Sequence, residues 1–349
     1  MTHSSIDPNG LSLSNHESED HPLKELLHFF SEEMEACNLE IQTKLKSSVD
    51  LVDQLGLYLI AAGGKRFRPL LLLAAARLCG YIPQNETVRR DVRLATCVEF
   101  IHTATLLHDD VVDDSKLRRG AASANALFGN QASVLVGDFL FARSFQLMTL
   151  DGSNKVLSIL SSASATLAEG EVLQMSVQNE LSTPVDVYLE IIHAKTAALF
   201  SASCQVGAVV ADASEVQEKA LHSYGAHLGM AFQLADDALD YSADQMKLGK
   251  TVGDDLREGK ITLPLLYAFH AGNAEEKRFW ERVIEEKDIK EDDLQKAVKI
   301  IAERHGIEET FKKAQEYAVK ANMALSIFPE SKLRTLLENV AYYAGKRNH

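Results

Sequence analysis

Two groups of aspartates are the residues of this chain whose types and spacing could do chemistry. The first group lies in LLHDDVVDDSKLRRG and consists of Asp109, Asp110, Asp113 and Asp114. Residues four apart share one face of an α-helix, so Asp109 and Asp113 point the same way. Like charges at this spacing destabilise a helix, and hard divalent cations held by carboxylate oxygens relieve the repulsion. The spacing therefore indicates a cation site.

The second group, Asp236, Asp237 and Asp240, lies in AFQLADDALDY, more than a hundred residues further along. A single acidic cluster could be a solvated helix face or a helix end. Both clusters, however, follow apolar runs typical of core helices, and buried carboxylates without partners are costly. The pair of clusters therefore predicts a cavity whose acidic walls face each other, with a metal ion or arginines nearby.

Cations of matching chemistry lie in GGKRFRP, from Gly63 to Pro69. Two glycines allow a tight turn, and Lys65 and Arg68 then stand three apart at a predicted helix start, where free backbone N–H groups favour an anion. Alone, this segment is more typical of a solvated basic turn. Together with metal-binding carboxylates, it indicates a site for a diphosphate.

The apolar run before the first cluster contains His102, Ala104 and Thr105. A histidine on an apolar helix is more often a core residue than a ligand, and two small residues are equally typical of helix packing. If the aspartates hold a reactive head group, Ala104 and Thr105 lie one turn before Asp109 and line the space beneath it.

Composition excludes several classes of protein. The 349 residues carry a formal charge of −14, which argues against a nucleic-acid footprint. Four widely spaced cysteines without a CxxC pair predict neither a zinc site nor a disulfide framework, and favour a reduced cytoplasm. Polar residues interrupt the two longest runs without charge, 120–137 and 196–211, so we expect no membrane span. The N-terminal residues lack the basic and apolar regions of a signal peptide.

The rest of the chain predicts helices that would position these residues. From Leu23 onward, apolar residues recur at three- and four-residue spacing, and no proline lies between Pro83 and Pro184. We predict an all-α fold of about ten to twelve helices joined by short loops in a single bundle-like domain, residues 23–349. Residues 1–22, rich in Ser, Asn, Asp and His, are predicted to be a disordered tail.

Six motifs follow one another along the chain in this order: GGKRFRP, HDDVVDDSKLRRG, KT, FQLADDALD, GK and GDDLREGK. With this set of motifs the chain resembles the trans-polyprenyl diphosphate synthases, most closely the long-chain bacterial octaprenyl type. The resemblance extends from about Leu23 to near the C-terminus. It implies an all-α isoprenoid synthase fold, a helical bundle around a deep central cavity, usually a homodimer. It also implies Mg²⁺-dependent condensation of isopentenyl diphosphate onto an allylic primer such as farnesyl diphosphate, with a product for quinone side chains.

The resemblance also implies roles for single residues. Magnesium ligands would be Asp109, Asp113, Asp236 and Asp240. Isopentenyl diphosphate would contact Lys65, Arg68, His102 and Arg119, and the allylic diphosphate would contact Arg118. The leaving diphosphate and the carbocation would be bordered by Lys195, Thr196, Gln233, Lys250 and Lys260.

Chain length is expected to depend on the space below Asp109. In the resembled family, bulky side chains one turn before the first cluster stop growth early, whereas Ala104 and Thr105 leave room. We place the floor deeper, near Met148, although a core methionine is the alternative. Competing hypotheses are a shorter-chain synthase, a terpene cyclase of the same fold, and a non-catalytic subunit of a partner synthase. The intact aspartates and basic residues argue against the last. Residue types leave the product open between about seven and ten isoprene units.

Overall fold

Helices form nearly all of the regular structure in the computed structural model, which describes residues 22–61, 63–83, 89–118, 121–242 and 253–346. The predicted all-α class is confirmed. The only strands within those residues are β1 (Leu117–Arg118) and β2 (Ala121–Ala122), an antiparallel pair in which Leu117 lies opposite Ala122. The tail predicted for residues 1–22 lies outside the described residues except for Pro22, which begins the first helix.

Seventeen α-helices lie in the described residues, numbered here in chain order. The first ten are α1 (Pro22–Phe29), α2 (Ser31–Leu45), α3 (Asp50–Ala61), α4 (Phe67–Leu78), α5 (Arg90–Val112), α6 (Ala124–Phe128), α7 (Asn130–Asp151), α8 (Asn154–Ser176), α9 (Val185–Ile192) and α10 (Ala198–Val210). The remaining seven are α11 (Glu215–Asp240), α12 (Asp254–Arg257), α13 (Leu263–Ala271), α14 (Ala274–Trp280), α15 (Asp293–Glu303), α16 (Gly306–Ala324) and α17 (Lys332–Gly345). Eleven of them contain eleven residues or more. The number exceeds the predicted ten to twelve because short helical turns such as α6 and α12 join the long helices.

Two long helices, α5 and α11, organise the packing. α5 packs against α4 and α7, and α11 packs against α10 and α16. The buried apolar residues form two clusters, a larger one that includes α5, α7 and α10 and a smaller one around α13 and the end of α11. Both helices are buried in these clusters along much of their length, and the aspartates lie in the last turns of each, at the edge of the core. At its other end α11 begins with a capping box, in which Ser214 and Gln217 satisfy each other's backbone N–H groups.

A π-helical turn, His193–Ala197, joins α9 to α10 without a break in the helical path. Such turns insert one extra residue per turn and are frequent at functional sites. The turn contains Lys195 and Thr196, so the local irregularity falls on two residues that the sequence singles out.

By length and composition, α8 is the one described helix that could cross a membrane. In its most apolar window, 28% of the residues are buried inside the fold. The helix also carries charged and polar residues that line a cavity, among them Glu171 and Gln174. An apolar helix that packs within a protein passes the same test of length and composition.

Candidate functional site

Both aspartate helices contribute to one cavity of about 1140 Å³, as the sequence predicts. Asp109 lies in the last turn of α5, and Asp113 is the residue at which that helix ends. Asp236 and Asp237 lie in the last turns of α11 and line the same cavity. The volume exceeds the several hundred cubic ångströms that suffice for most small ligands.

Two carboxyl groups of this cavity, those of Asp109 and Asp237, have pKa values raised by burial. Burial raises the pKa of Asp109 to about 7, and the negative charges of Glu171 and Asp113 add to the effect. Burial also raises the pKa of Asp237 to about 7, although Tyr188 and Gln233 oppose it by donating hydrogen bonds. Negative charge crowded in this way favours any cation that enters. An all-oxygen donor set suits a hard divalent ion such as Mg²⁺, although no compact cluster of three such ligands exists among the described residues.

Not every aspartate of the two clusters faces the cavity. Asp240 is absent from the lining; its side chain accepts a hydrogen bond from the backbone N–H of Asp255 at 3.3 Å, and its carbonyl accepts one from Gly253 at 3.0 Å. In the first cluster, Asp110 is 2% exposed and pairs with Arg118, whereas Asp114 is exposed and pairs with Lys116 at 2.6 Å. The structure therefore places Asp109, Asp113 and Asp236 on the lining of one cavity, whereas Asp240 binds the backbone at Gly253 and Asp255.

The basic turn before α4 supplies a half-buried cation. Arg68 lies in the first turn of α4, its Nη1 is 3.0 Å from Nε2 of His102, and its guanidinium lies 4.7 Å from the ring centre of Phe200. Loss of solvent around the guanidinium lowers the pKa of Arg68 to about 10, and within the described residues it forms no salt bridge. Lys65 lines the same cavity. A guanidinium that is partly removed from water and lacks a carboxylate partner is costly unless a ligand anion pairs with it, so this corner fits a phosphate group.

Three further cations have carboxylate partners inside the protein. Arg118 lies 2.6 Å from Asp110, Lys195 lies 2.7 Å from Glu171, and Lys260 lies 2.9 Å from Asp113. Burial alone would lower the pKa of Lys260, but Asp113 and Glu258 outweigh it and raise the pKa. The predicted residues Arg119 and Lys250 lie outside the described residues.

The π-helical turn, called the π-turn below, contacts both α11 and α8 through side chains that the sequence predicts. Thr196 contacts Gln233 on α11, and Lys195 contacts Gln174 on α8. The hydroxyl of Thr196 donates to Oε1 of Gln233 at 2.8 Å, and Lys195 donates to Gln174 at 2.9 Å. Glycine makes the approach possible, because a Cβ at Gly229 would lie 2.6 Å from the Cα of Ala197. All three predicted residues line the cavity.

The residues predicted to set the depth of the cavity have different positions. Thr105 lines it, whereas Ala104 is fully buried in the core and is not part of the lining. Met148 is 2% exposed and also does not line the cavity. It stands seven residues beyond Phe141, a lining residue on the same helix, or about 10 Å along the axis. The structure therefore does not bring Met148 to the cavity wall.

Sequence reasoning missed residues that complete the site. Glu171 pairs with Lys195, and Glu99, which is 6% exposed, pairs with Arg66 beside Arg68. Tyr188 donates to Asp237 from α9. A charged residue inside an apolar helix, such as Glu99, is a signal that could have been used. A tyrosine within the apolar run of α9 gives no such signal.

The arrangement suits a ligand with an anionic head and an apolar tail. Cations and carboxylates occupy one part of the cavity, and Leu106, Phe141 and Leu167 contribute apolar surface to its wall. No serine or cysteine in the lining has an adjacent histidine base that would suggest a covalent mechanism. The residues present can therefore bind a diphosphate and stabilise the charge that develops when it leaves.

Known proteins share both sequence and fold with this chain. The family model described as polyprenyl synthetase matches residues 49–301. An octaprenyl diphosphate synthase of Haemophilus influenzae is 47% identical over 317 residues, which is 91% of this chain and 94% of that protein.

Two solved structures superimpose closely. A polyprenyl synthase from Caulobacter crescentus, in complex with calcium and isoprenyl diphosphate, has a TM-score of 0.88 and 47% identity, with 94% of this chain and 98% of that chain covered. A decaprenyl diphosphate synthase from Rhodobacter capsulatus also has a TM-score of 0.88, with 46% identity and coverage of 94% and 100%. The match in sequence over most of the chain, together with the shared fold, shows that this chain belongs to the polyprenyl synthetase family.

Proposed function

We propose that this protein is a long-chain trans-polyprenyl diphosphate synthase of the octaprenyl type. It condenses isopentenyl diphosphate repeatedly onto an allylic primer such as farnesyl diphosphate. One observation carries the proposal: the aspartates of α5 and α11 and the half-buried Arg68 line the same cavity, which also has apolar walls. Family membership and the octaprenyl relative support the reaction and the product class.

Each substrate has a matching group of residues. Arg68, His102 and Lys65 would hold the diphosphate of isopentenyl diphosphate, and Arg118, Lys195 and Lys260 would hold the allylic diphosphate. In the structure, Lys195 pairs with Glu171 and Lys260 pairs with Asp113. An incoming diphosphate would therefore replace a carboxylate as the partner of each lysine. Arg119 and Lys250, predicted from the sequence to bind the same substrates, lie outside the described residues and stay predictions.

Magnesium would be held by Asp109, Asp113 and Asp236, and when bound it would neutralise negative charge on the departing diphosphate. Asp240 would act less directly, because it does not line the cavity. Thr196 and Gln233 border the space where the allylic carbon would lose its diphosphate, and their oxygens would face the positive charge that forms. Loss of a proton to the departing diphosphate would complete each cycle.

The test is elongation by the purified protein alone. Incubation with Mg²⁺, farnesyl diphosphate and labelled isopentenyl diphosphate should yield products that chromatography sizes at about seven to ten isoprene units. Asp109→Asn should reduce turnover at least a hundredfold, because it removes a charge that the cation requires. Asp114→Asn is the matched control, since Asp114 is exposed and does not line the cavity. Activity in the Asp109 variant equal to that of the control would reject the assigned site, and a wild type that forms no polyprenyl product would reject the function.

We also propose that the protein is a cytoplasmic homodimer. α7 and α8 expose large apolar side chains, among them Leu135, Phe145, Leu150 and Val172, which a second copy of the chain would cover. The four cysteines are free, which fits a reducing compartment. Sedimentation equilibrium should give twice the chain mass, and Phe145→Glu should shift the protein toward monomer. A wild-type monomer at micromolar concentration would contradict the proposal.

A further inference from the structure

A continuous run of hydrogen bonds connects the buried core to the cavity beside the π-turn. The hydroxyl of Tyr188, on α9, donates to Oδ2 of Asp237. The other oxygen of that carboxylate accepts from Nε2 of Gln233 at 2.7 Å, and Oε1 of Gln233 accepts from Thr196 at 2.8 Å. Tyr188 and Asp237 are 2% and 5% exposed. Two of the four residues, Tyr188 and Asp237, have no role in the mechanism above.

The order of donors and acceptors fixes which way the Gln233 amide points. Oδ2 of Asp237 accepts from Tyr188 and Oδ1 accepts from the NH₂ group of Gln233, so both carboxyl oxygens face donors and the NH₂ group lies on the Asp237 side. The amide oxygen then turns toward Thr196 and the cavity. A reversed amide would place its oxygen against the carboxylate, where two acceptors would repel each other, and would point the positive end of its dipole at the cavity.

The orientation matters because the reaction develops positive charge on carbon. A carbonyl oxygen aimed at the allylic carbon stabilises that charge, whereas an NH₂ group would destabilise it. A dipole that is already oriented needs no reorganisation as the charge forms. Resting on the function proposed above, we propose that Asp237 and Tyr188 are positioning residues, which hold the Gln233 amide with its oxygen toward the forming carbocation.

Tyr188→Phe tests the proposal because it removes one hydroxyl and keeps the ring. We expect kcat to fall about tenfold, while KM for isopentenyl diphosphate stays within about twofold, because Arg68 and His102 lie elsewhere in the cavity. The matched control is Tyr224→Phe, since Tyr224 is equally buried and donates to the carbonyl of Leu337 at 2.9 Å, away from the cavity. This control should keep the wild-type kcat.

A double-mutant cycle then separates positioning from a general structural role. If Tyr188 acts through Gln233, Tyr188→Phe should cost nothing further in a Gln233→Leu background. An equal loss of kcat in both backgrounds would overturn the proposal, and so would a wild-type kcat in the single variant.

A second readout does not depend on turnover. In protein labelled with ¹⁵N-glutamine, the side-chain NH₂ signals of Gln233 are identified by their loss in Gln233→Leu. Those signals should shift in Tyr188→Phe and in Asp237→Asn, and should stay in place in Tyr224→Phe. Unshifted signals in both variants would overturn the proposed orientation of the Gln233 amide. The measurement does not require a prenyl product, and a failure to form product would by itself reject only the proposed function.

Discussion

At the scale of single residues, Thr105 is the side chain best placed to limit product length. It lies one turn before Asp109 on α5 and lines the cavity, whereas its neighbour Ala104 is turned into the core. Phe141, Ser164 and Leu167 line the same cavity. On α8, Ser164 lies seven residues before Glu171, so the described cavity extends about 10 Å along that helix below the charged groups.

Thr105→Phe should therefore shorten the product by several isoprene units. The added ring would occupy space beneath the diphosphate, while the first condensation should keep its rate within about tenfold because the charged groups are untouched. Thin-layer chromatography of the labelled products measures the length. Thr105→Val, which keeps the size of the side chain, serves as the control, and an unchanged length distribution in Thr105→Phe would contradict the placement.

The aspartates show how far residue spacing can predict a site. Helical periodicity correctly predicts that Asp109 and Asp113 share a direction. The same rule pairs Asp110 with Asp114, yet Asp110 is buried against Arg118 and Asp114 is exposed. The reason is that α5 ends at Val112 and Asp114 adopts a positive φ of 49°, which turns its side chain off the helical face. The exact end of a helix was not predictable from the pattern.

At the scale of elements, two glycines hold the π-turn in place. A Cβ at Gly170 on α8 would lie 2.5 Å from the Cβ of Ala194, and a Cβ at Gly229 on α11 would lie 2.6 Å from the Cα of Ala197. Both distances are far shorter than van der Waals contact. The turn that carries Lys195 and Thr196 is thus packed between two helices at a separation that only glycine permits.

Gly229→Ala should displace this turn and lower kcat about tenfold or more. The new methyl group meets backbone, which cannot move aside as a flexible side chain can, and overpacking of this kind costs about 1–3 kcal/mol. Gly56→Ala on α3 is the control, because its Cβ would make an ordinary contact of 3.6 Å with Leu45. The control should be neutral or stabilising by up to about 1 kcal/mol. Steady-state kinetics and thermal melting check both variants, and wild-type kinetics for Gly229→Ala would show that the turn tolerates displacement.

At the scale of the whole molecule, the all-α class and the meeting of the two aspartate helices were predictable, because each depends on patterns along the chain. Pairings between distant segments were not. Lys260 reaches Asp113 across 147 positions, and Asp240 holds the backbone of Asp255 instead of facing the cavity. Such contacts depend on how helices from the two core clusters pack, and no local signal in the sequence specifies that packing.

An ion pair between Glu276 and Arg304, beside the smaller core cluster, should make the stability of the protein depend on pH. Glu276 caps α14 by accepting the backbone N–H of Asn273 at 2.9 Å, and both of its oxygens accept from Arg304, at the end of α15, at 2.8 and 2.9 Å. The hydrogen bonds from Arg304 are the main reason that the pKa of Glu276 lies below its ordinary value of 4.5. The link should therefore stabilise the fold above about pH 4.5 and be lost as the pH falls through the lowered pKa.

Glu276→Gln should lower the melting temperature by about 1–2 °C at pH 7, because the amide keeps the shape of the side chain but loses the charge that pairs with Arg304. The gap to wild type should narrow only below about pH 4.5, and should close as the pH falls through the lowered pKa and the wild-type carboxylate becomes protonated. Glu303→Gln is the control: Glu303 forms an exposed pair with Lys299 at 3.7 Å, and such pairs contribute little. Melting curves followed by circular dichroism from pH 7 down to about pH 3 measure both variants. A gap that stays constant over this range would show that Glu276 acts through packing and capping alone, without its charge.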